Sequence, residues 1–484
     1  MPLTMPMDWT TSLKAFLALA WAAYVVVLVI WVLLQKRPPE ATISWILVLA
    51  LVPYLGFFIF YFFGPQRLRK QQIRRLNNRV AMYVSDDLQA LKERTLHAPA
   101  ELRQLAQLSA ITTGIYPCSG QAVQLLCSGA QTFDAIEHAI HQARHHVHLE
   151  YYIYEPDQTG MRLRDALIQK AREGVQVRLL VDALGSKNLN KTFVQPMLDA
   201  GIAFARFHDT RFGRRWRPVI NYRSHRKIVV VDGSVAFTGG VNVTDEEDTR
   251  IRADAYHDVH VRLQGNPAFW LQVVFLEDWA YANDQPLSEC IACVQDYLPV
   301  SPTGPFDVQV QTSGPNNPAE PIHRSYVQAI HNARSRVWLT TPYFVPSEAA
   351  MMALTNAALA GVDVQVLVPE RSDSLLVTLA ARSYFDELIE AGVKVWEYKA
   401  GMLHSKTLVV DDDLGCIGTA NFDLRSFRLN YEVGVAVFGT PFNSDLAAQF
   451  ERDLRQSRRV PTHRHIPFRQ RLAEAVMRLF SPML

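Results

Sequence analysis

The chain has 484 residues, with 49 Lys and Arg against 47 Asp and Glu, a formal charge of +2. That length suits two domains and an appendage, and so even a balance supplies no field for nucleic acid, whose partners are strongly basic. Five cysteines are too few and too odd for a disulfide framework; Cys290 and Cys293 form a C-x-x-C with no second pair or nearby His to complete a zinc set.

Residues 15–34 and 43–63 contain no charged side chain. Each is long enough to cross a hydrocarbon core, which takes roughly 20 apolar residues in a helix. A cleaved signal peptide has a shorter apolar run and no second span at once behind it. The two stretches therefore predict a transmembrane helical hairpin, with Pro53 and Gly56 tolerable inside the second span. The link holds Lys36 and Arg37, whereas residues 64–79 hold Arg67, Arg69, Lys70, Arg74, Arg75 and Arg79 and no acid. The positive-inside rule puts that basic segment, both termini and all downstream chemistry in the cytoplasm. There the segment lies against anionic head groups, at about 1 kcal/mol per basic residue.

The predicted division is a hairpin with its basic segment over 1–75, a helical connector over 76–120, and two halves over 121–300 and 301–484. The halves repeat each other in order. AIHQARHHVHLEYYIY (139–154) matches AIHNARSRVWLTTPYF (329–344), GVQVRLLV (174–181) matches GVDVQVLV (361–368), and HDVHVRLQG (257–265) matches YEVGVAVFG (431–439). Alternating helical spacing and short Val/Ile-rich runs predict an α/β fold, a mixed sheet flanked by helices in each half. Prolines at 299, 302, 305 and 315 mark the boundary near 298–315.

Between the second and third matches lie two stretches with identical internal spacing: His225, Lys227, Asp232, Gly239 and Asn242, then His404, Lys406, Asp411, Gly418 and Asn421. One H-x-K is worthless as evidence, but two five-point copies imply one active site built from two halves. Residues two apart on a strand share a face, so each His and Lys point together. Asp232 and Asp411, five past their lysines, point away and suit the hairpin turn that Asp232-Gly233 signals. Histidines at a phosphoryl centre need a carboxylate on the far ring nitrogen to fix the tautomer. Asp258 and Glu432 occupy matching positions for that role. One imidazole then attacks phosphorus while the other protonates the leaving alkoxide, and which does which stays open. Lys227, Lys406, Asn242 and Asn421 donate to the nonbridging oxygens, and Gly239 and Gly418 let the backbone turn close to the phosphate. A second histidine set, His138, His141 and His145 with His146 and His148, has helical metal-ligand spacing. Only one of them, at His331, recurs in the second half, so surface composition explains the set better than a metal.

These residues resemble the phospholipase D superfamily, whose signature is H-x-K-x4-D followed by G-[GST]-x-N; that signature groups Asp232 and Asp411 with the catalytic His and Lys. TPYF (341–344), HSKTLVVDD (404–412), GTANFDLRSFRLNYE (418–432) and the paired N-terminal spans are similar to the bacterial cardiolipin synthase family. The resemblance implies two phospholipase D-like halves, no metal and no cofactor. It also implies transfer of a phosphatidyl group between two phosphatidylglycerol molecules, at a bacterial cytoplasmic (inner) membrane, with His225 favoured as nucleophile. A hydrolase, a phosphatidyltransferase using serine, a nuclease and a lipid-binding scaffold are the competing readings. The first half carries an insertion with Arg211, Arg214, Arg215, Trp216 and Arg217, a basic loop suited to head groups or to solvent alike. Residues 467–480 read as a basic amphipathic helix, for the membrane or for docking onto the body. The oligomeric state has no signature in the sequence.

Overall fold

The computed structural model describes residues 9–34, 42–43, 46–47, 102–208, 221–292 and 304–481. The N-terminal unit contributes helix α1 (Trp9–Leu33). Within it Leu13–Leu33 is apolar enough to cross a membrane, and its 21 residues rise about 31 Å, the thickness of a hydrocarbon core. The expected second span over 43–63, the basic run over 64–79, the insertion arginines with Trp216, and Cys293 lie outside the described residues. One apolar helix is thus described, and the hairpin is not established by it.

In the catalytic body the first pass runs α2 (Arg103–Thr113), β1 (Cys118–Leu126), α3 (Gly129–Gln142), β2 (His146–Tyr151), α4 (Gln158–Arg172), β3 (Gln176–Asp182), α5 (Lys191–Asp199), β4 (Ala203–Phe207), β5 (Ile228–Val231), β6 (Val235–Gly239), β7 (His260–Gly265) and α6 (Asn266–Asn283). After α7 (Leu287–Ala292) the pattern returns as β8 (Phe306–Ser313), α8 (Pro321–His331), β9 (Arg336–Thr340), β10 (Phe344–Val345), α9 (Glu348–Leu359), β11 (Asp363–Pro369), α10 (Leu375–Arg382), α11 (Phe385–Glu390), β12 (Lys394–Tyr398), β13 (Thr407–Val410), β14 (Leu414–Gly418), β15 (Phe422–Asp423), α12 (Leu424–Arg428), β16 (Glu432–Phe438) and α13 (Thr440–Arg455). Strand β17 (Ser457–Arg459) and helix α14 (Phe468–Leu479) follow.

Fifteen strands join in one sheet, in the order β17-β12-β11-β9-β13-β14-β16-β8-β1-β7-β6-β5-β2-β3-β4. The antiparallel pair β8–β1 sits at the centre. Outward from it, β7, β6, β5, β2, β3 and β4 mirror β16, β14, β13, β9, β11 and β12. Within this sheet, among the described residues, only β2–β3–β4 and β9–β11–β12 are parallel, because there a helix intervenes and forces a crossover. Strands such as β5 and β16 are buried along their whole length, as expected where helices cover both faces. Helix α6 packs across the first half's strands and α13 across the second's. Each half has its own apolar core.

Two segments behave differently from their sequence reading. The proline-marked stretch 298–315 contains β8, a central strand, between Pro305 and Pro315. Helix α2, inside the connector, joins the second half's core through Leu105 and Ala106. The Gln309 amide also donates to the carbonyls of Ala106 and Ile115, at 3.0 and 2.9 Å.

Candidate active site

Backbone pairing across the two halves builds the site. His225 N donates to Tyr431 O at 2.9 Å, and Ser224 and Tyr431 form an isolated parallel bridge. His404 N donates to His257 O at 2.8 Å, next to the matching bridge between His257 and Leu403. The residue after each acceptor is a carboxylate, so each lands beside the other half's histidine. Glu432 Oε2 is 3.0 Å from His225 Nδ1, and Asp258 Oδ2 is 2.6 Å from His404 Nδ1.

The lysines sit one step along from their histidines. Lys227 Nζ donates to His225 O at 2.9 Å, and Lys406 Nζ donates to His404 O. Lys406 Nζ also lies 3.6 Å from Asp258 Oδ2. His225, Lys227, Asn242, Asp258, His404, Lys406, Asn421 and Glu432 are all buried. Unpaired charges there would be prohibitive; the carboxylates Asp258 and Glu432 offset the two lysines electrostatically.

Burial, Lys227 and Lys406 together push His225 down to about 4, against the pull of Glu432. At His404 burial and Lys406 act in the same direction, but Asp258 and Glu247 outweigh them and its pKa rises. Asp258 and Glu432 both titrate below the usual carboxylate range: burial opposes this, and the Lys406–His404 and His225–Lys227 pairs respectively overcome it. Ionised carboxylates only accept, so Nδ1 of each histidine carries a proton and Nε2 is left for chemistry. Near neutrality His225 then offers a lone pair, and the upward shift of His404 favours its proton-bearing form. Burial and Lys406 bring Lys227 down to about 7.

A Cβ on Gly239 would come within 2.7 Å of His260 Cα, and one on Gly418 within 2.6 Å of Gly434 Cα. Both glycines serve the close approach of neighbouring strands, and Gly239 also holds a positive φ of 150°. The Asn242 amide is 3.5 Å from Glu247 Oε1, and Asn421 Oδ1 is buried with no partner among the described residues. Asp232 and Asp411 require a correction to the signature's grouping. Asp232 accepts from the backbone N–H of Arg144, His145 and His146, each at 2.9 Å. Asp411 accepts from those of Arg334, Ser335 and Arg336. Both have positive φ, 48° and 51°, at the turn end of the motif hairpin. They clamp the loop that starts β2 or β9 and stand apart from the histidine–carboxylate pairs.

Sequence reasoning missed Glu247. It is fully buried, its Oε1 is 3.4 Å from His404 Nδ1 and 3.3 Å from Asn242 N, and its Oε2 has no partner among the described residues. Its counterpart is Ser426, whose hydroxyl accepts from Asn421 N at 3.2 Å; the equal five-residue offset from each asparagine was the available signal. The Tyr152 ring packs edge-on to His225 at 5.0 Å, and Tyr256 lies 5.8 Å from His404. Glu247, Asp258 and His404 place one donor atom each within 4.8 Å. That cluster is already answered by the His404–Asp258 hydrogen bond and the Lys406 ammonium. In the other histidine set, His146 and His148 are buried and share the Gln272 amide, at 2.9 and 2.7 Å; they are core groups.

The family model described as "Cardiolipin synthase, PLD-like domain" matches residues 136–253 and 326–454, one segment per half. The "Phospholipase_D-nuclease N-terminal" model matches residues 22–65. Cardiolipin synthase 1 of Bacillus cereus is 36% identical over 98% of this chain and 95% of its own length. The cardiolipin synthase of Geobacillus sp. strain WCH70 is 38% identical over the same shares. The chain belongs to the bacterial cardiolipin synthase family. Members are phosphatidyltransferases of the phospholipase D type. The crystal structure of a phosphatidylserine synthase from Haemophilus influenzae Rd KW20 superposes with a TM-score of 0.57 at 14% identity, over 78% of this chain and 98% of that one, which fixes the shared fold.

Proposed function

We propose that this cardiolipin synthase family member joins two phosphatidylglycerol molecules into cardiolipin and releases glycerol, through a phosphohistidine on His225. The observation that carries the proposal is the unequal, cross-paired histidine couple. Neutral His225 attacks the phosphorus of the donor lipid, and the bond from phosphorus to the glycerol head-group oxygen breaks. His404 gives its Nε2 proton to that oxygen, and glycerol leaves. The terminal hydroxyl of a second phosphatidylglycerol then attacks the same phosphorus and passes its proton to His404. The P–N bond breaks, and both histidines return to their starting states. Lys227 and Lys406, with Asn242 and Asn421, neutralise the nonbridging oxygens as the phosphoryl group moves. Asp258 and Glu432 hold the imidazoles by Nδ1 and act through them.

Three observations support a location at the bacterial cytoplasmic membrane, as a multi-pass protein with the body on the cytoplasmic side. They are the apolar helix α1, the second apolar run in sequence over 43–63, and the basic residues after it. A site kept at the lipid surface meets a lipid hydroxyl at high effective concentration, which favours transfer over hydrolysis. Division of the chain at 1–75, 76–120, 121–300 and 301–484 follows from the same reading. Incubating purified protein with phosphatidylglycerol and quantifying products tests it. Cardiolipin and glycerol in equal amounts are expected, whereas phosphatidic acid as the main product makes the chain a hydrolase.

A further inference from the structure

Helix α14 is docked by one face only. Its inward side holds Glu474, buried and paired with the Arg464 guanidinium at 2.8 and 3.0 Å, and Met477, packed on the second half's core. Just past it, the Tyr384 hydroxyl donates to Ser481 Oγ at 3.0 Å, and Arg478 stacks 4.4 Å over the Tyr384 ring while pairing with Glu387. Its outward side carries Phe468, Leu472, Val476 and Leu479, at helical spacing, with Phe480 beyond; all are exposed, Phe468 and Leu479 by more than three-quarters. An amphipathic helix that merely covers a core turns its apolar stripe inward. This one turns a second stripe outward.

The stripe does not stand alone. Helix α10 packs against α14 and exposes Leu375 and Leu376 at its first turn. That turn follows Asp373, which accepts the Tyr343 hydroxyl at 2.7 Å and acts electrostatically on Tyr256, the ring 5.8 Å from His404. The apolar surface therefore extends from the outer helix onto the first turn of α10, two residues past Asp373. Arg469 and Arg471 are exposed along the stripe and make no ion pair among the described residues. Leucine and phenylalanine bordered by arginines fit an anionic lipid leaflet, into which such helices sink by about 5–10 Å.

We propose that the outward face of α14, together with Leu375 and Leu376, is a lipid-docking surface that seats the body on an anionic leaflet with the rim of the site at the head groups. This rests on the phosphatidylglycerol reading and adds the surface by which the body meets its substrate's membrane.

The test uses the full chain in vesicles of phosphatidylglycerol and phosphatidylcholine. An environment-sensitive fluorophore is placed at Leu472→Cys, with Cys127 and Cys293 changed to Ser. Lipids bearing a nitroxide on the acyl chain should quench it at least twofold. No quenching overturns the proposal, and a blue shift that grows with protein concentration without lipid quenching assigns the face to a second copy of the chain. In parallel, Leu472→Glu/Leu479→Glu should lower turnover of bilayer phosphatidylglycerol tenfold or more. Turnover of a monomeric short-chain phosphatidylglycerol should stay within twofold; an equal loss on both substrates overturns docking in favour of a structural role. Quenching with no cardiolipin from either substrate keeps the docking surface and sinks the phosphatidylglycerol reading instead.

Discussion

Half one and half two present the same motif residues on the same strand order, yet they surround their histidines with different charge. His225 meets one carboxylate, Glu432, which already accepts the Thr419 hydroxyl. His404 meets two, Asp258 and Glu247. The residue matching Thr419 is Gly240, where any Cβ would come within 2.1 Å of Asp258 Oδ1. Where the second half places a hydroxyl, Ser426, the first half places the acid Glu247. Duplication thus explains where the groups are, and the substitutions between copies explain why one imidazole's pKa falls and the other's rises. A symmetric pair would have two equal bases or two equal acids.

The largest expected break comes from removing either imidazole. His225→Ala and His404→Ala should each lower cardiolipin formation by about 10⁴-fold or more, because neither can substitute for the other's step. Product quantification from phosphatidylglycerol reads this; near-full activity in either variant means the two-histidine mechanism is wrong. Next come the cross-half carboxylates. Glu432→Gln and Asp258→Asn keep shape but lose the charge and can turn an N–H donor toward Nδ1, so the tautomer is no longer fixed; each should cost about 10²- to 10⁴-fold in kcat. A loss confined to KM would place them in substrate binding.

Glu247→Ser sharpens the comparison by making the first half resemble the second. Removing an anion beside His404 lowers its pKa, so its proton is lost at lower pH. The falling limb of the pH–rate profile should move acidward, with about tenfold loss at neutral pH. An unmoved limb contradicts a role for Glu247 in the asymmetry. In the native protein kcat/KM should rise through about pH 4 as His225 becomes neutral. It should fall from about pH 7 as Lys227 loses its proton, with His404 contributing above its ordinary value. Bound phosphate stabilises the Lys227 ammonium, so the falling limb of kcat should lie at higher pH than that of kcat/KM.

The smallest effect on chemistry belongs to the motif aspartates. Asp232→Ala and Asp411→Ala each strand backbone N–H groups and should cost about 1–3 kcal/mol of stability. Thermal unfolding should report that loss, while the folded fraction keeps its kcat within severalfold.

Much of this was legible in the sequence. The repeat, the alternating fold and the matched motifs needed only spacing, and parity alone turned Asp232 and Asp411 away from their histidines. Asp258 and Glu432 could be named from the repeat, but their partners could not, because crossing between halves depends on backbone bridges at Ser224–Tyr431 and His257–Leu403. Glu247 was hidden by the logic of the repeat itself: looking for what recurs passes over the position where the copies differ. No sequence pattern reports how near β7 and β16 pass to Gly239 and Gly418. Helix α14 left two readings open in sequence, and its docked face and bare face give each a part.

The most direct test of the unequal pair is to trap the covalent intermediate with a phosphatidyl ester of p-nitrophenol, a leaving group that needs no proton. His404→Ala should still release nitrophenol in a burst and carry the phosphatidyl group on His225, identified by mass spectrometry of the digested protein. His225→Ala should give neither burst nor adduct. An adduct on His404, or a burst that survives in His225→Ala, would contradict the assignment of roles and with it the account of the asymmetry.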